Sequence, residues 1–289
     1  MHIGEETLDL LLAHVQKPGR YVGQEWNSVV KDWDAMQIKL ALAYPDTYEI
    51  GMSNLGLMIL YDLVNQRLNY VAERVYAPWN DMEAAMREAH VPLYSLETRH
   101  SLDEFDVIGF SLQHELTYTN VLNKLDLGGI PVLASERSAD MSLVIAGGSC
   151  TYNPEPMADF IDLFVIGEGE QVLLELLDGM RDWKLSRDET KRDGRQALLR
   201  QLAIIPGIYA PALYHAHYLS DGTIGSIEPT ADALPSRIRK RIVPVLGPAP
   251  ARPIVPNIQI VHERAMAEIQ RGCSRGCRFC QAGMIYRPI

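Results

Sequence analysis

Between residues 38 and 180, short and almost wholly apolar runs alternate with amphipathic stretches, and this alternation limits the fold more than any other feature of the 289-residue chain. An apolar run with no polar face must be covered on both sides, which is the position of a strand in a parallel sheet flanked by helices. Residues 38–44 read as a first strand stopped by Pro45-Asp46, and 55–68 carry the helical periodicity of the segment that follows. Residues 71–76 and 107–112 read as the second and third strands, with 81–89 as a helix between them and room for a short edge strand over 91–98. Residues 120–127 suit a helix, 143–146 a further buried strand, 163–166 the last strand and 172–180 a closing helix. The expected fold class is therefore α/β, a doubly wound, mostly parallel, Rossmann-like sheet.

The flanking regions are different. Residues 5–17 have apolar side chains at helical spacing and run into Pro18-Gly19, a helix stop. Residues 197–205 read as another helix, and 214–219 with 223–227 flank Asp221-Gly222, a hairpin turn signal. The proline-rich stretch 228–257 reads as a linker or extended crossing segment, and 265–270 as a last short strand. These readings divide the chain into an N-terminal helix and extended segment (1–37), an α/β domain (38–190), a helix, hairpin and linker (191–257) and a final segment (258–289).

Charge and cysteine usage narrow the partners. Lys plus Arg number 27 against 37 Asp plus Glu, a formal net charge of −10, so the summed field repels polyanions and makes nucleic acid an unexpected partner. No apolar run is long enough to span a bilayer, and the start Met1-His2-Ile3-Gly4-Glu5-Glu6 lacks the basic flank and apolar stretch of a secretory signal. Three of the four cysteines crowd into residues 273–280, unlike a secreted disulfide framework. A cytoplasmic protein with no membrane partner is expected.

That crowding carries the chemistry. The segment Arg271-Gly-Cys273-Ser-Arg-Gly-Cys277-Arg-Phe-Cys280-Gln-Ala-Gly283 spaces three thiols as C-x3-C-x2-C, with glycines that let the backbone fold around a bulky inorganic object. A closed structural zinc site or an ordinary iron–sulfur cluster usually takes four protein ligands. Three thiolates on a [4Fe–4S] cube leave one iron free to chelate a cosubstrate, and the amino and carboxylate groups of S-adenosylmethionine form a fitting pair. An electron passed from such a cluster into the sulfonium breaks a C–S bond and releases a carbon radical.

The segment resembles the signature loop of the radical S-adenosylmethionine superfamily, with Phe279 in its aromatic place, over roughly the last 25 residues. The resemblance implies Cys273, Cys277 and Cys280 as cluster ligands, S-adenosylmethionine as cosubstrate, an electron donor as partner and the beginning of a partial TIM barrel after the sheet. The competing reading is a zinc knuckle borrowing a fourth ligand such as His262, or thiols with no metal. Cys150 reads as a small buried residue rather than a fourth ligand. A complete barrel takes roughly 250 residues, whereas nine follow Cys280. The chain is thus expected to be the N-terminal portion of a longer enzyme, with little turnover alone.

Candidate cofactor-binding residues fall where the strands end. They are Asp46, Tyr48 and Gly51 after the first strand, Ser111 at the end of the third, and Gly147-Gly148 and Gly167-Glu168-Gly169-Glu170 after the last two. Over residues 38–180 these positions resemble the cobalamin-binding domain that precedes many radical S-adenosylmethionine barrels. In that domain D-x-H-x-x-G, a serine and a Gly-Gly turn hold the corrinoid and its nucleotide tail. Here Tyr48 replaces the histidine that would ligate cobalt, and a neutral phenol is a poor substitute for imidazole. The resemblance implies either cobalamin held without a histidine beneath it or a domain that kept the fold without the corrinoid. For the glycine turns, the plain alternative is tight strand-to-helix connection, with Glu168 or Glu170 favouring a helix N-terminus.

Two smaller features read as structural. His215 and His217 share one face of a strand without a third ligand, and Arg237, Arg239, Lys240 and Arg241 form a positive run read as a solvated linker. The expected function is a radical S-adenosylmethionine iron–sulfur enzyme acting on an unknown substrate with cobalamin assistance. The alternative is a non-catalytic corrinoid carrier or zinc-binding interaction module.

Overall fold

The apolar runs do assemble into one sheet, in a computed structural model that describes residues 1–186, 194–287 and 289. In chain order the elements are α1 (Glu5–Leu12), β1 (Ile38–Tyr44), α2 (Tyr48–Gly51), α3 (Leu55–Asn65), β2 (Tyr70–Tyr76), α4 (Asn80–Ala89), β3 (Val107–Ser111) and α5 (Tyr118–Leu127). There follow β4 (Leu143–Gly147), β5 (Leu163–Val165), α6 (Gly169–Leu185), α7 (Gly194–Ala203), β6 (Ile208–Tyr209), β7 (Tyr214–Tyr218), β8 (Ile224–Pro229) and α8 (Ala282–Ile285). The sheet order is β2-β1-β3-β4-β5-β6, parallel from β2 to β5. The fold is thus α/β, with the mostly parallel sheet expected from the alternation. The expected boundary between residues 190 and 191 falls outside the described residues.

Register explains why the runs are apolar throughout. Leu42, Gly109, Ile145 and Leu163 sit side by side across four strands. Leu40, Leu42, Val107, Ile145 and Val165 face a core with α3, α6 and α7, while Ala41, Ala43, Ile108, Phe110 and Val144 face a second core with α1, α4 and α5. β1, β3 and β4 are covered on both faces, so their runs are almost wholly apolar, whereas β2 at the edge also buries Glu73 and Arg74.

Four expectations need correction. The sheet does not end at residues 163–166: β6 pairs antiparallel with β5, and the Ile166 N–H donates to the Gly207 carbonyl at 2.8 Å. The N-terminal helix stops at Leu12 rather than running to residue 17, because the chain turns toward α4, where the Gln16 N–H donates to Asp81 Oδ2 at 2.9 Å.

Residues 91–98 form no edge strand. They cover the outer edge of β2 irregularly instead: the Leu96 N–H donates to the Arg74 carbonyl at 2.9 Å, and the Glu97 carboxylate accepts the Arg74 N–H at 2.8 Å. Lastly, 265–270 form no strand. Ile269 is 87% exposed, and a parallel strand has no stability without neighbours to bond its backbone. The hairpin forms as expected, with Gly222 at φ +83 in the turn and β7 antiparallel to β8.

Candidate corrinoid pocket and cluster arm

The carboxyl ends of β1, β3, β4 and β5 open onto a cavity of about 240 Å³ beside the first turns of α3 and α6. It lies where the strand order reverses, since β1 is flanked by β2 on one side and β3 on the other, and such switch points are where open α/β sheets take ligands. Leu40, Leu42, Ile145 and Val165 contribute to its lining from the sheet, and Leu57, Leu60 and Leu173 from the helices. Polar groups surround this apolar interior: Asn54, Ser111, Gln113, Glu168 and Glu170. Asn54 also caps α3, its side chain accepting the Leu57 N–H at 2.9 Å.

The glycines here differ in purpose. A Cβ on Gly148 (φ +110) would lie 2.5 Å from the Leu112 carbonyl oxygen, and one on Gly167 (φ +104) 2.3 Å from that of Arg241. Both are required by the chain's own backbone. A Cβ on Gly147 would meet nothing nearer than Val165 at 4.0 Å, and one on Gly109 would make only ordinary contacts, with the Ile145 and Leu40 side chains at 3.6 Å and the Ala41 carbonyl at 3.8 Å. At these two positions the absent side chain leaves room in a cavity that both glycines line.

Of the residues singled out in the sequence, the structure brings Ser111, Gly147, Gly148, Gly167, Glu168 and Gly169 around this cavity. Asp46, Tyr48 and Gly51 lie elsewhere. Tyr48 is 2% exposed, meets the Tyr76 ring edge-on and accepts the Asn257 N–H at 3.1 Å. Burial, reinforced by the charge of Glu25, raises its phenol well above the usual range. A Cβ on Gly51 would strike the Tyr76 ring, and Asp46 turns back on the Thr47 N–H. Nearby, the fully buried Lys124 ammonium donates to the Tyr44 and Val75 carbonyls at 2.8 Å each, closing the ends of β1 and β2. Burial holds its pKa well below the ordinary lysine value.

Sequence reasoning missed Gly109, Asn54, Gln113 and Arg271. Gly109 carried a usable signal, because a glycine inside a strand often marks close approach of a ligand. Arg271 joins the two halves of the site. Its guanidinium lies 2.5 Å from Glu170, 3.8 Å from Glu168 and 2.6 Å from Glu268. Hydrogen bonding to Glu268 and Glu170 raises its pKa above the usual range. Arg271, Glu268 and Tyr286 also line the cavity, so the segment leading into the cysteines rests at its mouth.

The cysteines themselves remain apart. Cys277 is exposed and Cys273 and Cys280 half-buried, and no group of three His, Cys, Asp or Glu side chains among the described residues could hold a metal. The Cys280 N–H donates to the Cys277 carbonyl at 3.1 Å, the Arg275 N–H reaches Cys273 Sγ at 3.4 Å, and Phe279 is 91% exposed. The donor set still suits an iron–sulfur cube in chemistry, with three thiols on a glycine-bearing loop. Cys150 is buried in the second core, its thiol pushed up by burial. His217 pairs with Glu228 at 3.6 Å on the exposed hairpin, and His262 is exposed. No helix among the described residues is long and apolar enough to cross a membrane.

An uncharacterized protein of Methanocaldococcus jannaschii is 24% identical over 253 residues, which are 86% of this chain and 42% of that protein. The chain therefore spans about two fifths of the curated relative it matches. Among solved structures, the radical S-adenosylmethionine methyltransferase TsrM of Kitasatospora setae aligns with a TM-score of 0.36 at 14% identity, covering 68% of this chain and 31% of its own. The cobalamin-dependent S-adenosylmethionine radical enzyme OxsB aligns with a TM-score of 0.35 at 14% identity, covering 79% and 29%. The family model described as the N-terminal part of radical SAM proteins matches residues 56–211, and the chain belongs to that family.

Proposed function

We propose that this chain receives a corrinoid in the switch-point cavity and carries the cluster loop of a radical S-adenosylmethionine enzyme. The observation that carries this reading is the cavity itself: an apolar slot, widened by Gly109 and Gly147, whose mouth is lined by the arm that leads to Cys273. A flat heteroaromatic base would suit such a slot, where leucine side chains would supply apolar contact and Ser111, Gln113 and Asn54 would supply hydrogen bonds. Tyr48 is buried against Tyr76 and does not line the cavity, so it would not serve as a ligand to a corrinoid held there.

Cys273, Cys277 and Cys280 would supply three thiolates to a [4Fe–4S] cluster. When bound, that cluster and S-adenosylmethionine would supply a carbon radical. The chain's own contribution is positional. Arg271, held by Glu168, Glu170 and Glu268, fixes the start of the loop over the cavity, and such orientation is what catalysis of this kind asks of a protein.

The test is anaerobic reconstitution of the chain with iron, sulfide and hydroxocobalamin. We expect close to four irons per chain, a reduced-cluster electron paramagnetic resonance signal that changes on adding S-adenosylmethionine, and corrinoid retained through gel filtration. Gly109→Leu should abolish corrinoid retention and leave the iron content unchanged. Zinc in place of iron, or corrinoid held equally well by Gly109→Leu, would overturn the respective half of the proposal.

A further inference from the structure

The basic run read from sequence as a solvated linker is divided by the fold. Arg241 is bonded into the body of the protein: its N–H donates to the Ile166 carbonyl at 2.8 Å and its guanidinium pairs with Glu175 at 2.6 Å. Lys240 donates to the Ile285 carbonyl at 2.8 Å and lies 5.9 Å from the Tyr152 ring. Arg237 and Arg239 are exposed and have no acidic partner among the described residues. All three of Arg237, Arg239 and Lys240 border a groove of about 750 Å³, separate from the switch-point cavity, with Tyr152, Tyr209 and Tyr214 also in its lining. The Tyr209 and Tyr214 rings lie 5.0 Å apart.

We infer that this groove binds a nucleoside phosphate, either free or within a single RNA strand. Two independent observations meet here. Unpaired guanidinium groups are strong, geometrically matched partners for phosphate, and they stand out in a chain whose net charge is −10. The half-buried Tyr152 and Tyr214 rings beside them offer surfaces on which a base can stack whatever its identity, with Tyr209, itself buried in the core, behind Tyr214. An acidic peptide would satisfy the arginines but leave the tyrosine rings without a flat partner. The Lys240 contact with Ile285 also ties the groove's edge to α8, two residues beyond Cys280 at its start. The groove's edge is therefore in direct contact with the helix that follows the cluster loop.

The experiment is fluorescence anisotropy of the 289-residue chain with a labelled twelve-nucleotide uridine RNA at 50–200 mM KCl. Unlabelled uridine monophosphate and polyglutamate serve as competitors. Dissociation constants in the micromolar range are expected, with a slope of about −2 in log affinity against log salt, as roughly three cations imply for a single strand. Arg237→Gln with Arg239→Gln should weaken binding at least ten-fold, and Tyr152→Ala at least five-fold, with the circular dichroism spectrum unchanged. Competition by millimolar uridine monophosphate identifies a free-nucleotide site, and RNA binding without it a strand site; both support the inference. Absence of binding at 50 mM salt, insensitivity to the double arginine variant, or equal displacement by polyglutamate would overturn it.

Discussion

Glu73 sits mid-strand on β2 with no solvent exposure, where the Ser95 hydroxyl donates to it at 2.5 Å and the Thr98 hydroxyl at 2.8 Å. Burial, then repulsion from Glu97, raises its pKa from 4.5 to about 7 against those hydrogen bonds. The sign of the consequence follows from linkage. Between about pH 4.5 and 7 the folded protein keeps a proton that the unfolded chain releases, so stability falls as pH rises through that window and levels off above it. The size is on the order of 3 kcal/mol at 1.36 kcal/mol per unit. Urea unfolding at pH 5 and pH 8 should therefore show the protein weaker at pH 8, and Glu73→Gln should shrink the difference by at least half. An undiminished difference in the variant would assign the effect to another group.

At the scale of elements, β2 shows how an edge strand is protected without a neighbour. Most of its outward backbone groups are met by side chains: Asn65 donates to the Ala72 carbonyl at 3.0 Å and accepts the Ala72 N–H at 3.1 Å, and Glu97 accepts the Arg74 N–H, while the Arg74 carbonyl takes the Leu96 N–H. The Arg74 guanidinium, fully buried, is clamped between Glu25 at 2.8 Å and Glu97 at 2.6 Å. An exposed row of unpaired backbone groups invites association, and capping it with side chains removes the template. Asn65→Ala leaves both Ala72 groups unpaired and should lower unfolding free energy by about 1–3 kcal/mol, with hydrogen exchange quickened at the Ala72 amide. Unchanged exchange there would mean that water replaces the side chain at no cost.

At the scale of the whole molecule, the parallel sheet and the C-terminal arm should differ sharply in local stability. The strands β1, β3 and β4 are buried on both faces, whereas residues 261–280 form no regular element and expose Val261, Ile269 and Phe279. Hydrogen exchange should find the sheet amides slowest and those of 265–270 near the unprotected rate. Slow exchange in 265–270 would show that the arm pairs with something the structure does not contain. The parallel strands and their helices were readable in the sequence because almost wholly apolar runs such as 38–44 and 107–111 have only one way to leave water, and local spacing encodes it. The C-x3-C-x2-C spacing was readable for the same reason, being a local pattern tied to one chemistry. The antiparallel β6, the irregular cover over β2, the removal of Tyr48 from the cavity and the Arg271 bridge were not. Each depends on contacts between residues far apart in the chain, such as Arg271 with Glu170 and Tyr48 with Asn257. The sequence by itself determined the parallel strands β1 to β5, the helices packed on them and the thiol trio. Only the tertiary structure decided which glycines leave a cavity open and which charges remain unpaired, because both depend on what the rest of the chain brings within a few ångströms.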